Sequence, residues 1–190
     1  MTINISLIEN LTQEIQDMVL INLSSNEIHE LGKDKVSEYV WLRKKDKTVE
    51  DAAKNGNLIG LTYLVEECKE DIYNKENALE IASENGHLYI VKYLNKQFIN
   101  IIDRLSKADK DSDDYYEYEY AEYIFGFNNT KNRALKLSSK HGYLDIVKYL
   151  VEECNANIQG HDDDYLDDRP LCISIEHDHF EVVKYLVEKG

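Results

Sequence analysis

The sequence predicts an all-α fold, a solenoid of helix-turn-helix units preceded by a small N-terminal helical domain, and three observations carry that reading. One ten-residue phrase occurs four times: Asn-Gly-Asn-Leu-Ile-Gly-Leu-Thr-Tyr-Leu from Asn55, Asn-Gly-His-Leu-Tyr-Ile-Val-Lys-Tyr-Leu from Asn85, His-Gly-Tyr-Leu-Asp-Ile-Val-Lys-Tyr-Leu from His141, and His-Asp-His-Phe-Glu-Val-Val-Lys-Tyr-Leu from His177. Each copy shows two short apolar stripes at helical spacing, separated by a turn. The 190 residues include only 8 Gly and 1 Pro, too few for a loop-rich protein. One such unit cannot bury its own apolar face, so the copies must stack into an array with a long exposed surface and no deep central pocket. That form suits binding other proteins better than catalysis.

Residues 1–45 have a pattern of their own: Leu11-Thr12-Gln13-Glu14-Ile15, then Val19-Leu20, Leu23, Glu27-Ile28 and Leu31. This resembles the F-box, whose Leu-Pro-x-Glu-Ile opening, paired apolar residues, Leu and acidic-Leu step fall at the same intervals. The resemblance implies docking on the small adaptor subunit of a cullin-type ubiquitin ligase, carried here by Leu11, Glu14, Ile15, Val19 and Leu23. Thr12 stands where that family has Pro, and beyond Leu31 the register breaks at Asp34 and Glu38. Amphipathic helices built on Leu11, Ile15, Met18, Leu23, Ile28 and Leu31 would also serve as a cap over the first copy, and the two roles are compatible.

Residues 46–98 hold the first two copies. In the second, one helix is expected from about Asn77 (Ala78, Leu79, Ile81, Ala82) and the next from about His87 (Leu88, Ile90, Val91, Leu94). Gly86 sits where the chain must turn left-handed between them, a conformation that Gly adopts without strain. Gly56 and Gly142 hold the same post, and Asp178 replaces Gly in the last copy, Asp being one of the few other residues to tolerate it. Leu94 and Leu150 should be buried between stacked copies, with Lys92 and Lys148 pointing away.

Spacing between the turns is irregular. Gly56 and Gly86 are 30 residues apart, Gly86 and Gly142 are 56 apart, and Gly142 and Asp178 are 36 apart, against about 33 for a common helical-hairpin repeat. The surplus lies in residues 99–130: Asn100–Leu105, which extends a helix, then an acidic run and a Tyr/Glu tract from Tyr115 to Tyr123. The stretch reads as an insertion, or else as a degenerate repeat. Tyr115, Tyr116, Tyr118, Tyr120 and Tyr123 either grip a basic partner, because Tyr offers large contact area at small entropic cost, or pack one face of this element on the array.

Residues 131–190 hold the last two copies. Arg169-Pro170-Leu171-Cys172-Ile173-Ser174 opens the fourth, with Pro170 at the first helical position, where its missing N–H is harmless. This opening resembles the Thr-Pro-Leu-His-x-Ala of the ankyrin repeat, and Asn77-Ala78-Leu79 and Arg133-Ala134-Leu135 are weaker versions. The resemblance covers about Lys47 to Gly190 and implies an ankyrin solenoid that acts as a non-catalytic protein-binding module. The phrase Ala-Ser-Glu-Asn-Gly-His-Leu-x-Ile-Val-Lys-Tyr-Leu is similar to ankyrin proteins of giant DNA viruses of amoebae, which implies a host protein as target and the host cytoplasm as compartment. Partner-binding residues of such a module lie on first helices and connector tips, here Tyr73, Glu80, Lys136 and Tyr165, with Tyr115, Tyr116 and Tyr118 added from the tract. The last copy keeps a full apolar set (Phe180, Val182, Val183, Leu186) up to Gly190, which predicts that further chain or another molecule covers that end.

Composition narrows the classes of partner. Lys+Arg 22 against Asp+Glu 37 gives a formal charge of −15, which repels phosphate backbones and anionic membranes. Met1 to Leu23 carries Glu9, Glu14 and Asp17 without a basic n-region, so no signal peptide is expected. No apolar run approaches the roughly 20 residues that span a bilayer. The three cysteines, Cys68, Cys154 and Cys172, are expected as reduced packing thiols, since Cys68 and Cys154 fill the same place two units apart, too distant to bridge.

Two clusters invite a metal reading, and neither carries it. Asp109-Lys110-Asp111-Ser112-Asp113 matches the first ligand positions of a calcium loop, but Asp114 stands where Gly is needed and Tyr120 where a closing Glu should be. His161, Asp162, Asp163, Asp164, Asp167 and Asp168, with His177 and His179, would make a metal-dependent enzyme the remote alternative. The histidines, however, follow the repeat, His141 and His177 before the turn and His87 and His179 after it, which predicts hydrogen bonding at helix ends. No phosphate loop or nucleophile elbow is present, and no cofactor is expected.

Overall fold

The computed structural model describes residues 46–66, 72–106, 113–160 and 169–190, with backbone alone at 66, 72–76, 105 and 113–125. Leu11, Glu14, Ile15, Val19, Leu23, Cys68 and Tyr165, and the His161 to Asp168 cluster, lie outside the described residues. All described elements are helices. The chain divides into two compact units, Met1–Asn74 and Lys75–Gly190, each taken by itself below.

In the first unit, α1 (Val49–Lys54) and α2 (Leu58–Glu66) form the first hairpin. Thr48 begins α1 by accepting a hydrogen bond from the Asp51 amide at 3.1 Å, and Glu50 and Asp51 place negative charge at the positive end of the helix. Val49, Ala52 and Ala53 are buried, as are Ile59, Leu61, Leu64 and Val65 of α2. The turn is clamped by a buried carboxylate. Asp46 accepts hydrogen bonds from the side-chain amides of Asn55 and Asn57, both at 2.7 Å, while the Asn57 carbonyl oxygen accepts the Gly60 amide.

The second unit contains α4 (Leu88–Ser106), α5 (Asp113–Lys140), α6 (Leu144–Glu152), α7 (Pro170–Glu176) and α8 (Phe180–Lys189), and most of α3 (Ile72–Glu84). Helix α6 packs on α5 and α8 on α7; α7 lies beside α5, and α6 touches both α4 and α8. First helices thus form one layer and second helices another. Small residues permit the close approach in the first layer: Ala82, Ser138 and Ser174 hold equivalent places and are fully buried. The seam of the second layer comes from Ile90, Val91 and Leu94 of α4, Ile146, Val147 and Leu150 of α6, and Val182 and Leu186 of α8, all buried. Leu94 and Leu150 are therefore where the pattern put them.

All four turns repeat one hydrogen-bond scheme. The amides of Asn57, His87, Tyr143 and His179 reach back to the carbonyls of Ala52, Ala82, Ser138 and Ser174 at 2.9 to 3.0 Å, the six-residue closure of a helix that ends on a left-handed residue. That residue is Gly56 (φ 68°), Gly86 (80°), Gly142 (74°) and Asp178 (59°). Glycine is required at two of these posts for a second reason. A Cβ on Gly86 would stand 2.8 Å from the Tyr143 ring, and one on Gly142 would meet the His179 ring more closely still. The residue after the turn of the third and of the fourth copy thus lays its ring on the turn of the copy before. Among the described residues no ring covers Asp178, so a side chain fits there.

The sequence pattern underestimates helix length. Helix α3 begins at Ile72 rather than near Asn77, α4 continues to Ser106, and α5 starts at Asp113, so the Tyr/Glu tract is helical in its backbone. Part of the surplus between Gly86 and Gly142 is spent lengthening one hairpin, whose arms are held together by the stacked rings of Phe98 and Phe127, 4.6 Å between centroids. At the other end, Val182 and Leu186 turn inward and are buried, so the expected outward apolar set is corrected to Phe180 with half-buried Val183, joined by Val187 and Ile175.

Candidate binding surface

The first-helix layer is built around an ion pair between copies. The Glu80 carboxylate on α3 accepts from Arg133 Nε on α5 at 2.7 Å. Glu80 is therefore an engaged residue, and Arg133 is the more exposed member of the pair. Lys136, one turn on along α5, is half-buried and has a partner of its own. Tyr73 lies on α3 and Tyr115, Tyr116 and Tyr118 on α5, where the backbone alone is described.

The connector that follows α6 is tied back onto α5. Lys131 donates from Nζ to the Cys154 carbonyl at 2.7 Å, with its ammonium 5.4 Å from the Phe127 ring centroid. Asn132 accepts the Asn157 amide at 2.8 Å, and Asn157 donates to the Gly160 carbonyl. Asn155 (φ 53°) and Gly160 (φ 79°) provide the two left-handed steps, Asn being tolerant of that region. Burial lowers the Lys131 pKa. The Cys154 thiol is pushed up to about 11, mainly by burial, so it stays protonated and is a poor nucleophile or metal ligand. Cys154 and Cys172 are free thiols.

A second line of contacts runs along the second helices and escaped the sequence reading. Lys92 lies 5.5 Å from the centroid of the Tyr149 ring, and Lys148 5.7 Å from that of Tyr185, each cation reaching the next copy. Asn95 donates to the Tyr149 hydroxyl at 2.9 Å. Tyr185 donates to Glu152 at 3.1 Å, and Lys189 pairs with the same carboxylate at 3.0 Å. Both phenols are pushed up to about 12, chiefly by burial, and the Glu152 pKa is lowered by its bonds to Lys189 and Tyr185. The phrase Val-Lys-Tyr-Leu was visible in three copies, but which Lys meets which Tyr depends on the offset between copies.

The histidines behave as helix-end groups. His177 Nδ1 donates to the Ile173 carbonyl at 3.0 Å, and His179 Nε2 to the Lys140 carbonyl at 2.8 Å; a carbonyl only accepts, so those nitrogens carry the protons. His141 lies 3.8 Å from Glu84. Among the described residues no three of His, Cys, Asp and Glu stand together as a metal site, and no helix is long and apolar enough to cross a membrane.

Residues 115–190 match the family model for ankyrin repeats in three copies. This part of the chain is made of ankyrin repeats. Ankyrin repeats mediate protein–protein interaction, and the family is typically non-catalytic. The ankyrin match begins inside α5, and the turns at Gly56 and Gly86, which precede it, share the hydrogen-bond scheme and left-handed glycine of the matched turns. No curated protein matches the chain.

Proposed function

We propose that the chain is an adaptor that holds a target protein on the first-helix and connector side of its ankyrin repeats while its N-terminal segment docks on a cullin-type ubiquitin ligase. The observation that carries the reading is the layered array itself. Second helices spend their apolar faces on the seam, whereas the first helices carry Glu80 with Arg133 and Lys136, to which Tyr73, Tyr115, Tyr116, Tyr118 and Tyr165 are expected from the sequence to add. A formal charge of −15 favours a basic or neutral protein surface over nucleic acid or anionic lipid. The docking half rests on the F-box-like spacing of Leu11, Glu14, Ile15, Val19 and Leu23, and bridging would raise the effective concentration of ligase at the target. The likeness of the repeat wording to giant-virus ankyrin proteins points to a host protein as target, in the host cytoplasm.

Co-purification from cell extract tests both halves. Ile15→Asp should lose the ligase adaptor and keep the target, whereas Arg133→Glu with Lys136→Glu should do the reverse. A target retained with no adaptor in any preparation would leave the second reading, a plain ankyrin scaffold or inhibitor with a helical N-terminal cap. That reading is favoured by the amphipathic pattern of Leu11, Ile15, Met18 and Leu23, which suffices for capping without any ligase.

A further inference from the structure

Rings flank the turns of the third and fourth copies. His141 and Tyr143 stand on either side of Gly142, with centroids 6.1 Å apart and planes at 23°, and His177 and His179 stand on either side of Asp178, 6.5 Å apart at 12°. The His179 ring also lies on Gly142, so the two pairs run on as one row. Ending a helix does not demand these rings. In the second copy Asn85 holds the place of His177 and donates to the Ile81 carbonyl at 2.8 Å, as His177 donates to that of Ile173 at 3.0 Å. His141 is exposed although a further copy follows it, so the row is open along the turn edge of the array and not merely at its last unit.

Charge along this edge selects the occupant. At and within three residues of Gly86, Gly142 and Asp178 the chain has Glu84, Asp145, Glu176, Asp178 and Glu181 against Lys140 alone, all six exposed. Lys140 holds the place of Glu84 and Glu176 in the flanking copies, so carboxylates bracket it. Among the described residues, Lys ammonium groups lie over the rings of Phe127, Tyr149 and Tyr185, and no cation lies over this row. A guanidinium fits it better than an ammonium, because the planar group stacks on a ring face while its edge donates to carboxylates. We infer that the turn edge binds an arginine-bearing segment of another protein, one guanidinium on the His141–Tyr143 pair beside Glu84 and Asp145, a second on the His177–His179 pair beside Glu176. Neighbouring copies pack about 8–10 Å apart, a span that two arginines three residues apart on an extended segment cover. Arg133 and the connector lie at the other end of the first helices, so the inference stands whether or not the target is held there.

The full chain can be titrated against a labelled Gly/Ser peptide carrying two arginines three residues apart, and against its twin with Lys for Arg, with fluorescence anisotropy as the readout. The Arg peptide should bind saturably and about threefold or more tighter than the twin. His141→Asn and His177→Asn should each weaken it about threefold and together about tenfold, and the arginine δ-methylene protons of the peptide should move upfield in NMR spectra with the natural chain but not with the double variant. Glu84→Gln should also weaken it, whereas Glu188→Gln, which removes the same charge from an exposed site away from the turns, should change nothing. No saturable binding, equal affinity for the two peptides, unchanged affinity in the double variant, or equal losses from Glu84→Gln and Glu188→Gln would each overturn the inference. Asn stands at the place of both histidines in the first two copies, so the variants should fold, which circular dichroism verifies.

Discussion

Gly142→Ala is the most demanding test of the stacking geometry, because one methyl group there acts twice. The residue holds φ 74°, and an L-residue in that region costs about 1–2 kcal/mol. The new Cβ would also collide with the His179 ring. Moving that ring sacrifices its 2.8 Å hydrogen bond to the Lys140 carbonyl, worth about 0.5–1.5 kcal/mol net, and some packing. The predicted total is about 2–4 kcal/mol, a large share of the stability of a small domain. In a His179→Ala background the collision is absent, so only the backbone cost of about 1–2 kcal/mol should remain. Urea denaturation of the four proteins of this cycle, followed by circular dichroism, gives the coupling directly. An identical cost of Gly142→Ala in both backgrounds would refute the argument that the ring reads the glycine of its neighbour.

Three further outcomes are expected. Leu94→Ala and Leu150→Ala, each at a fully buried position, should lose about 2–5 kcal/mol in the same assay, while Lys92→Ala and Lys148→Ala, whose cations only approach a neighbouring ring, should lose no more than about 1 kcal/mol; equal losses at Leu94 and Lys92 would contradict the helix faces. Asp46→Ala removes the carboxylate that accepts from the side-chain amides of Asn55 and Asn57 and should cost about 1–3 kcal/mol, read as a lower urea midpoint. Tyr149 and Tyr185 have folded pKa values raised to about 12 from 10.0, so they favour the folded state fully below pH 10 and that contribution is lost as pH rises toward 12; Tyr149→Phe should remove one late-titrating phenol from the alkaline absorbance curve and flatten the alkaline loss of stability.

The turns and the seam were legible because each is written in local spacing. Gly56, Gly86 and Gly142 mark a backbone conformation that few residues adopt, Asp178 is an exception that chemistry allows, and Leu94 and Leu150 follow the 3.6-residue period. The length of α4 and α5 was not legible, since the Tyr/Glu tract has neither a strong apolar stripe nor a Gly or Pro stop, and its hairpin is held by Phe98 on Phe127, 29 positions apart. The same reason hid the Glu80–Arg133 pair, the seating of His179 on Gly142 and the lysine-to-tyrosine line along the second helices. Each joins residues from different copies, and only the offset between copies decides the pairing. The place of Glu80 on a first helix marks it as a candidate binding residue, and the structure adds Arg133 as its partner.

The stacked pair of Phe98 and Phe127 bears on how such an array assembles in time. In a linear array every segment waits on its neighbours, and a segment that is self-sufficient can begin the process. The long hairpin of α4 and α5 closes over a short stretch of chain and carries an apolar seam of its own, so loop-closure entropy opposes it least. Refolding is thus expected to start at the middle of Lys75–Gly190 and spread outward, and Phe98→Leu should slow it more than an equally destabilising change in α8.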